Sequence, residues 1–472
     1  MLKRKIEAQL LKWKKSIDHK PLIIKGIRQC GKTFIVKKFA REHYQHVVYV
    51  NFILRPELAT AFTGTKDVDT IVLNLTALLP EAKFERSRTC LILDEIQDCP
   101  DARTALKSFK EHGGFDVIAT GSLLGVKGYG GQLKKAQNPH FGKNSIPVDS
   151  ETVIMMYSLD FEEFLWANGI SGQTIAAVKR CFKEERPVPE GVHQAFRTLW
   201  YRYVAIGGLP EAVNAYLEHH SMNEVLKVYV SIIDEYEDDM VKYAADESKT
   251  HIRECFGAIP VQLAKKNKKF QYSVIKKGAR SSQYAGALQW LEDAGIIIRC
   301  YNVHQPQLPL SGNRKDDVFK VYPADIGLLT AMLGQGAAAD ILQGRLFGYK
   351  GAIFEGAMAD VLHKKEQKLF YYQKDSGLTL DFLIRQQGEC VPCEVKAASG
   401  KAKSLKTVLR HPETYQIRHA LKFGDYNVRR DGAVLTLPAY MAAFLDFTDD
   451  EDLALPPVDA EAVNRLAEDM KA

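Results

Sequence analysis

From residue 21 onward, short apolar runs alternate with amphipathic stretches. Residues 21–24, 46–52, 90–93, 117–120 and 153–157 are apolar and of strand length, and helical periodicity separates them. That alternation predicts a parallel α/β sheet covered on both faces, spanning 21–158. Ahead of it, Leu2, Ile6, Leu10, Trp13 and Ile17 recur at helical spacing. They predict a helix over 1–20 laid on the sheet unit, the alternative being a helix on a membrane surface. Across 159–246 the pattern is helical. Phe161-Glu162-Glu163-Phe164-Leu165 opens one helix, and Gly207-Gly208-Leu209-Pro210-Glu211 carries a break and a restart, with Pro210 near a helix start. This predicts a small helical lid.

Residues 247–330 change period. Helical patterns over 251–266 and 283–294, the second closed by Gly295, precede strand-like runs at 296–301 and 318–322. The order predicts a winged-helix module, with the second run pairing back as its wing. Over 331–447 a helical stretch at 354–362 is followed by a strand at 380–384, a turn at Gln386-Gln387-Gly388 and a returning strand through Glu394. The last residues, 448–472, are mostly acidic, contain Pro456-Pro457 and predict a loosely held tail.

Composition narrows the class. The chain has 472 residues, 46% hydrophobic and 26% charged, with a mean hydropathy of −0.21. This is an ordinary globular composition with room for about three cores. No apolar run approaches the roughly twenty residues that span a bilayer, and the basic N-terminus lacks the continuous apolar stretch of a secretion signal. The eight cysteines are scattered, so a cytoplasmic, reducing location without a disulfide framework is expected. Cys390 and Cys393 sit at an odd offset in a strand-like run, which turns them to opposite faces and argues against a zinc or redox pair. A net charge of +6 permits DNA binding without demanding it. The charge is uneven, however. Lys265, Lys266, Lys268, Lys269, Lys276, Lys277 and Arg280 crowd the region before the 283–294 helix, and Lys276, Lys277 and Arg280 are candidates for DNA contact. A module that packs on protein and leaves its lysines solvated is the equal alternative.

One motif carries most of the chemistry. Gly26-Ile27-Arg28-Gln29-Cys30-Gly31-Lys32-Thr33 completes G-x-x-x-x-G-K-[ST] between a predicted strand and a predicted helix. That context makes a phosphate cradle: backbone N–H groups face the β-phosphate, Lys32 reaches the β/γ oxygens and the Thr33 hydroxyl ligates Mg²⁺. Cys30 is expected to be a neutral filler. The strand at 90–93 ends in Asp94 and Glu95, placed to hold Mg²⁺ and to polarise the attacking water. A third strand ends in Thr120-Gly121-Ser122, whose last hydroxyl could contact the γ-phosphate or the water. The Gly-, Lys- and Asn-rich stretch 124–147 predicts a mobile loop beside this site.

A second constellation lies near the C-terminus. Asp381 on one strand, Glu394 and Lys396 two apart on the next, and Glu355 on a preceding helix could hold Mg²⁺ or Mn²⁺ and activate water for cleavage. The same skeleton also serves as a structural salt-bridge cluster.

Together these motifs resemble the prokaryotic AAA-type ATPases that carry a C-terminal conserved domain of unknown function. The matching residues run through most of the chain: Gly26 to Thr33, Leu93-Asp94-Glu95-Ile96-Gln97, Thr120-Gly121-Ser122, Leu159-Asp160-Phe161-Glu162-Glu163-Phe164-Leu165, Gly207-Gly208-Leu209-Pro210-Glu211, and Asp381-Phe382-Leu383-Ile384 with Glu394-Val395-Lys396. The resemblance implies an α/β fold: a P-loop AAA-type parallel-sheet core, helical lid, winged helix and PD-(D/E)XK nuclease-like terminal domain. It implies ATP binding and hydrolysis with Mg²⁺, Lys32 and Thr33 serving phosphate and metal, Asp94 the metal, Glu95 the water and Ser122 the γ-phosphate. Many relatives carry Gly-Arg shortly after the Thr-Gly-Ser strand, where this chain has lysine and glycine. Arg28 sits inside the loop and is a poor finger for a neighbouring subunit. The source of positive charge at the transition state, and with it oligomerisation, therefore stays open. Three functions follow as expectations: an ATP-driven remodeller acting on DNA, a nucleotide-gated signalling ATPase with protein partners, and an ATP-regulated metal-dependent nuclease.

Overall fold

The computed structural model describes residues 1–17, 19–121, 150–243, 246–345, 350–396, 402–447 and 460. The loop expected at 124–147, Ser122 and the acidic tail lie outside them. Helix α1 (Ile6–Lys15) precedes strand β1 (Leu22–Lys25), α2 (Lys32–His43), β2 (His46–Asn51), α3 (Val68–Leu78), β3 (Thr89–Asp94), α4 (Pro100–Ser108), β4 (Asp116–Gly121) and β5 (Thr152–Met155). The five strands form one parallel sheet in the order β2-β3-β4-β1-β5. Every residue of the inner strand β3 is buried. That explains its unbroken apolar run: a strand covered on both faces has no polar face to alternate. Ile24, Ile92 and Ile118 enter one core and Ile23, Leu91, Leu93 and Val117 the other.

Helix α1 lies on this unit through buried Ile6, Leu10 and Trp13, and Arg4 Nη1 donates to the Cys30 carbonyl at 3.0 Å. The apolar spacing overreached at one end. The helix stops at Lys15, and Ile17 is 97% exposed.

The helical stretch comprises α5 (Phe161–Ala167), α6 (Gly172–Lys183), α7 (Glu190–Ile206), α8 (Pro210–His219) and α9 (Met222–Tyr243). Asp160 and Glu163 cap α5 reciprocally, which fixes where the helix begins. Gly207 and Gly208 form the break between α7 and α8, and Pro210 opens α8. A Cβ on Gly208 would lie 2.1 Å from the Leu159 carbonyl oxygen. Only glycine allows the chain to pass so close to the end of the parallel sheet unit.

Next come α10 (Asp246–Leu263), a short α11 (Tyr272–Ile275) and α12 (Ser281–Asp293), followed by the antiparallel pair β6 (Ile297–Val303) and β7 (Arg314–Pro323). The chain continues through α13 (Ile326–Met332), α14 (Gln335–Leu342), α15 (Lys350–Lys364), β8 (Leu369–Gln373), β9 (Thr379–Gln386), β10 (Glu389–Val395), α16 (Lys403–Arg410), α17 (Pro412–Tyr415), β11 (Ala420–Gly424), β12 (Arg429–Asp431) and β13 (Val434–Pro438). Their strands make one sheet, β12-β13-β11-β10-β9-β8-β6-β7. The β6–β7 hairpin is therefore not a free-standing pair. β6 pairs in parallel with β8, so the boundary drawn at 330/331 falls inside a single sheet. Gln387 (φ 48°) and Gly388 (φ 73°) turn β9 into β10, the two positive values a two-residue hairpin turn calls for. Cys390 and Cys393 belong to different cores, and all eight cysteines are buried and unpaired.

Candidate functional site

The phosphate loop leaves the C-terminal end of β1 and enters α2. Gly26 passes so near the next strand connection that a Cβ would fall 2.1 Å from the Met156 carbonyl oxygen. Gly31 caps α2 at φ 95°. Lys32, the first residue of the helix, is buried and folds back to donate to the carbonyls of Gly26 (3.0 Å) and Ile27 (2.8 Å). Its ammonium thus rests among loop carbonyls at the place where phosphate oxygens would receive it. Cys30 is fully buried, its thiol against the Met156 carbonyl at 3.4 Å, a space-filling role.

Thr33 and Asp94 meet across the sheet: the Thr33 hydroxyl lies 3.1 Å from each Asp94 carboxylate oxygen. Asp94 also accepts from Tyr49 Oη at 2.7 Å, Asn51 Nδ2 at 3.0 Å and the Thr120 hydroxyl. Tyr49 and Asn51 were not singled out from the sequence. Their signal is two polar side chains closing an otherwise apolar strand, and the register pairs Asn51 directly with Asp94. Burial, with Asp94 beside it, pushes the Tyr49 phenol well above its ordinary range, so it stays a donor. A hydroxyl and a carboxylate side by side form a hard-oxygen pair of the kind Mg²⁺ takes alongside phosphate and water. The residues present therefore fit that ion. Glu95 follows at φ 55°, a left-handed conformation uncommon outside glycine, and accepts from Gln97 Nε2 at 2.6 Å.

Two loop side chains face away from the sheet, onto α9. Arg28 Nη1 is 2.5 Å from Asp239 Oδ1, Gln29 Nε2 donates to Glu235 at 2.7 Å, and Tyr236 Oη donates to the Arg28 carbonyl at 3.3 Å. Further along α9, Tyr229 Oη donates to Asp325 at 2.8 Å. Asp325 lies in a buried network, also accepting from Ser158 (2.6 Å) and the Gly208 N–H (2.9 Å). Lys364 bonds Asp360 at 2.9 Å and approaches Asp325 at 3.4 Å. Burial opposes ionisation of Asp325, but Lys364 and the converging donors outweigh it and hold its carboxyl below the usual range. Asp360, buried beside the Asp325 charge, is pushed up to about 6. A cavity of about 820 Å³ borders the loop at Gly26 and Ile27 and reaches Arg299 and Arg314 on the hairpin.

Where α15 meets the C-terminal sheet, buried Glu355, Asp381 and Glu394 are brought together with half-buried Lys396 in one cluster. The sequence reading missed its other members. Glu355 is bound by Lys268, by Lys320 at 3.0 Å and by Tyr322 Oη at 3.2 Å. Glu394 pairs with Lys396 at 2.5 Å, and Asp381 accepts from the Val395 N–H at 2.9 Å. Burial would raise Glu355, but the two lysines bring it down to about 2. Burial and the Glu355 and Glu394 charges push Asp381 up to about 7. Glu394 is also raised, chiefly by burial. Among the described residues no group of three or more His, Cys, Asp or Glu side chains is arranged to hold a metal ion. As arranged, this cluster does not fit a divalent cation: lysines occupy Glu355, and Asp381 favours its proton. Lys276, Lys277 and Arg280 are all exposed, on the segment that joins α11 to α12.

The parallel sheet, phosphate loop and Thr33–Asp94 pair define a P-loop domain of AAA type. Residues 18–165 match the AAA domain family. Residues 197–339 and 350–440 match two domains of unknown function, DUF8612 and DUF4143. No relative was found among curated proteins. Among solved structures, the Walker-type ATPase PABY2304 of Pyrococcus abyssi is 14% identical, covering 71% of this chain and 96% of its own, with a TM-score of 0.40. The ORC1 protein of Aeropyrum pernix, solved in complex with DNA, is 12% identical, covering 73% of this chain and 92% of its own, with a TM-score of 0.27.

Proposed function

We propose that this chain is a Mg²⁺-dependent ATPase that couples hydrolysis to remodelling of DNA or of a DNA-bound partner. The observation that carries the first half is the Thr33–Asp94 contact beside Lys32, at the end of a complete phosphate loop. Lys32 would leave the loop carbonyls for the β/γ oxygens. Thr33 and Asp94 would hold Mg²⁺, which supplies charge neutralisation on the transferring phosphoryl group. Water attacks the γ-phosphorus, the bond to the β–γ bridging oxygen breaks, and ADP leaves with that electron pair. Glu95 orients the water and accepts its proton. Ser122 is assigned the γ-phosphate on its motif alone.

The second half rests on the helices and hairpin of 246–323, read as a winged helix, with Lys276, Lys277 and Arg280 exposed before α12. Nucleotide state reaches that region through α9, which touches Arg28 and Gln29 at one end and the Asp325 network at the other. The same relay favours a second reading, a nucleotide-gated switch whose outer surfaces bind protein. We assign no cleavage step to the Asp381 cluster, because its residues as arranged do not fit a metal. A titration of ATP turnover with duplex, branched and single-stranded DNA separates the two readings. Remodelling predicts stimulation that is lost in Lys32→Ala and weakens with salt. No stimulation and no salt-dependent binding would leave the switch.

A further inference from the structure

Two residues of the phosphate loop have no part in the scheme above, and both lie against acids. Arg28 meets Asp239 at 2.5 Å and Gln29 meets Glu235 at 2.7 Å. The two acids are four residues apart on α9, so they share one face of the helix. Tyr236, between them, donates its hydroxyl to the Arg28 carbonyl at 3.3 Å. Asp239 is 7% exposed at its side chain and Arg28 31%. The acid is therefore fixed within the packed helix, while the guanidinium retains room to move.

The loop that should wrap a polyanion is thus docked on two carboxylates. A γ-phosphate brought to the loop would compete with Asp239 for the Arg28 guanidinium. Arg28 can exchange one partner for the other at little geometric cost, because carboxylate and phosphate both accept the planar two-pronged donor. We propose that Arg28 supplies, in cis, the positive charge the γ-phosphoryl group needs during hydrolysis, and that Asp239 holds it away until nucleotide arrives. Release of Arg28 also frees α9, whose Tyr229 lies on Asp325, so arrival of the nucleotide is reported to the buried Asp325 network that caps α13. The proposal rests on the ATPase reading and names the group that reading lacks.

The test uses the full chain and compares Arg28→Ala, Arg28→Lys and Asp239→Asn in steady-state phosphate release from Mg·ATP, with ADP affinity by calorimetry. Arg28→Ala should lower kcat by about a hundredfold or more, as loss of an arginine finger does, with ADP affinity little changed. Arg28→Lys should restore part of the rate. Asp239→Asn should act in the opposite direction, lowering KM or raising kcat, because it removes the competitor. A pair that merely braces the fold would respond alike from either side, so equal losses in Arg28→Ala and Asp239→Asn would overturn the proposal. Wild-type turnover in Arg28→Ala, in a protein where Lys32→Ala is inactive, would overturn it while leaving the nucleotide site standing. A wild-type chain that hydrolyses no ATP would overturn both.

Discussion

Replacing Asp381 by Asn should stabilise the protein at neutral and alkaline pH. Asp381 is buried, next to Glu355 and Glu394, and its carboxyl is pushed up to about 7 from an ordinary 3.8. A rise of that size corresponds to about 4 kcal/mol of cost on ionising the folded protein. The sign follows from proton binding. Between roughly 4 and 7 the folded chain holds a proton that the unfolded chain has lost, so stability falls as pH rises through that window and levels off above it. Asn keeps an oxygen for the Val395 N–H and cannot ionise. Against this, its new amide hydrogens must find acceptors, at a cost of about 1–2 kcal/mol if they do not. The expected net gain at pH 8 is about 2 kcal/mol, or several degrees in melting temperature for the C-terminal unit. Melting should be followed in chelator from pH 4.5 to 8, comparing variant with wild type at each pH. Asp360, itself raised to about 6, contributes equally to both chains and cancels. The gap should be small at pH 4.5 and grow to its full value by pH 8. A variant less stable than wild type at pH 8, or a gap independent of pH, would refute the reasoning.

Other consequences are as specific. Asp325→Ala should destabilise the chain by about 3–5 kcal/mol, since it leaves the Ser158 and Tyr229 hydroxyls and the Gly208 N–H without their shared acceptor in a buried site, visible as a lower midpoint in urea. Reversing charge at Lys276, Lys277 and Arg280 together should flatten the dependence of log affinity for DNA on log salt by about 3, read by fluorescence anisotropy at several salt concentrations. An unchanged slope would assign those residues to solvent or to a protein partner. Lowering pH from about 4.5 to about 2 should release Glu355 from Lys268 and Lys320, because a depressed carboxyl gives up its stabilisation as it protonates. Glu355→Gln should remove that acid-side loss.

The phosphate loop was legible because its determinants are local: a buried strand, glycines at two tight points, and a helix start, all within a dozen residues. Asp94 was legible for a related reason, as the polar end of a fully buried run. What the chain could not declare were partners far apart in sequence. Glu235 and Gln29 are 206 residues apart, and nothing in the pattern of α9, an amphipathic helix with an acidic face, distinguishes a carboxylate that meets solvent from one that meets the loop. Lys268 and Lys320 were hidden likewise, one in a basic cluster that read as surface, the other in a strand whose burial depends on its neighbour α15. The hairpin was found but its setting was not. Period-two alternation predicts a strand and says nothing of which strand it pairs with, so β6 gave no sign of its parallel partner β8. Ile17 kept the helical spacing past the last turn, where no contact remained to bury it.

The most direct test of the nucleotide site is ATP turnover by the purified full chain with Mg²⁺, set beside Lys32→Ala and Glu95→Gln. The wild type should release phosphate, Lys32→Ala should neither bind nor hydrolyse, and Glu95→Gln should bind ATP without turning it over. Equal turnover in all three, or none in the wild type with Mg²⁺ and nucleotide bound, would contradict the assignment.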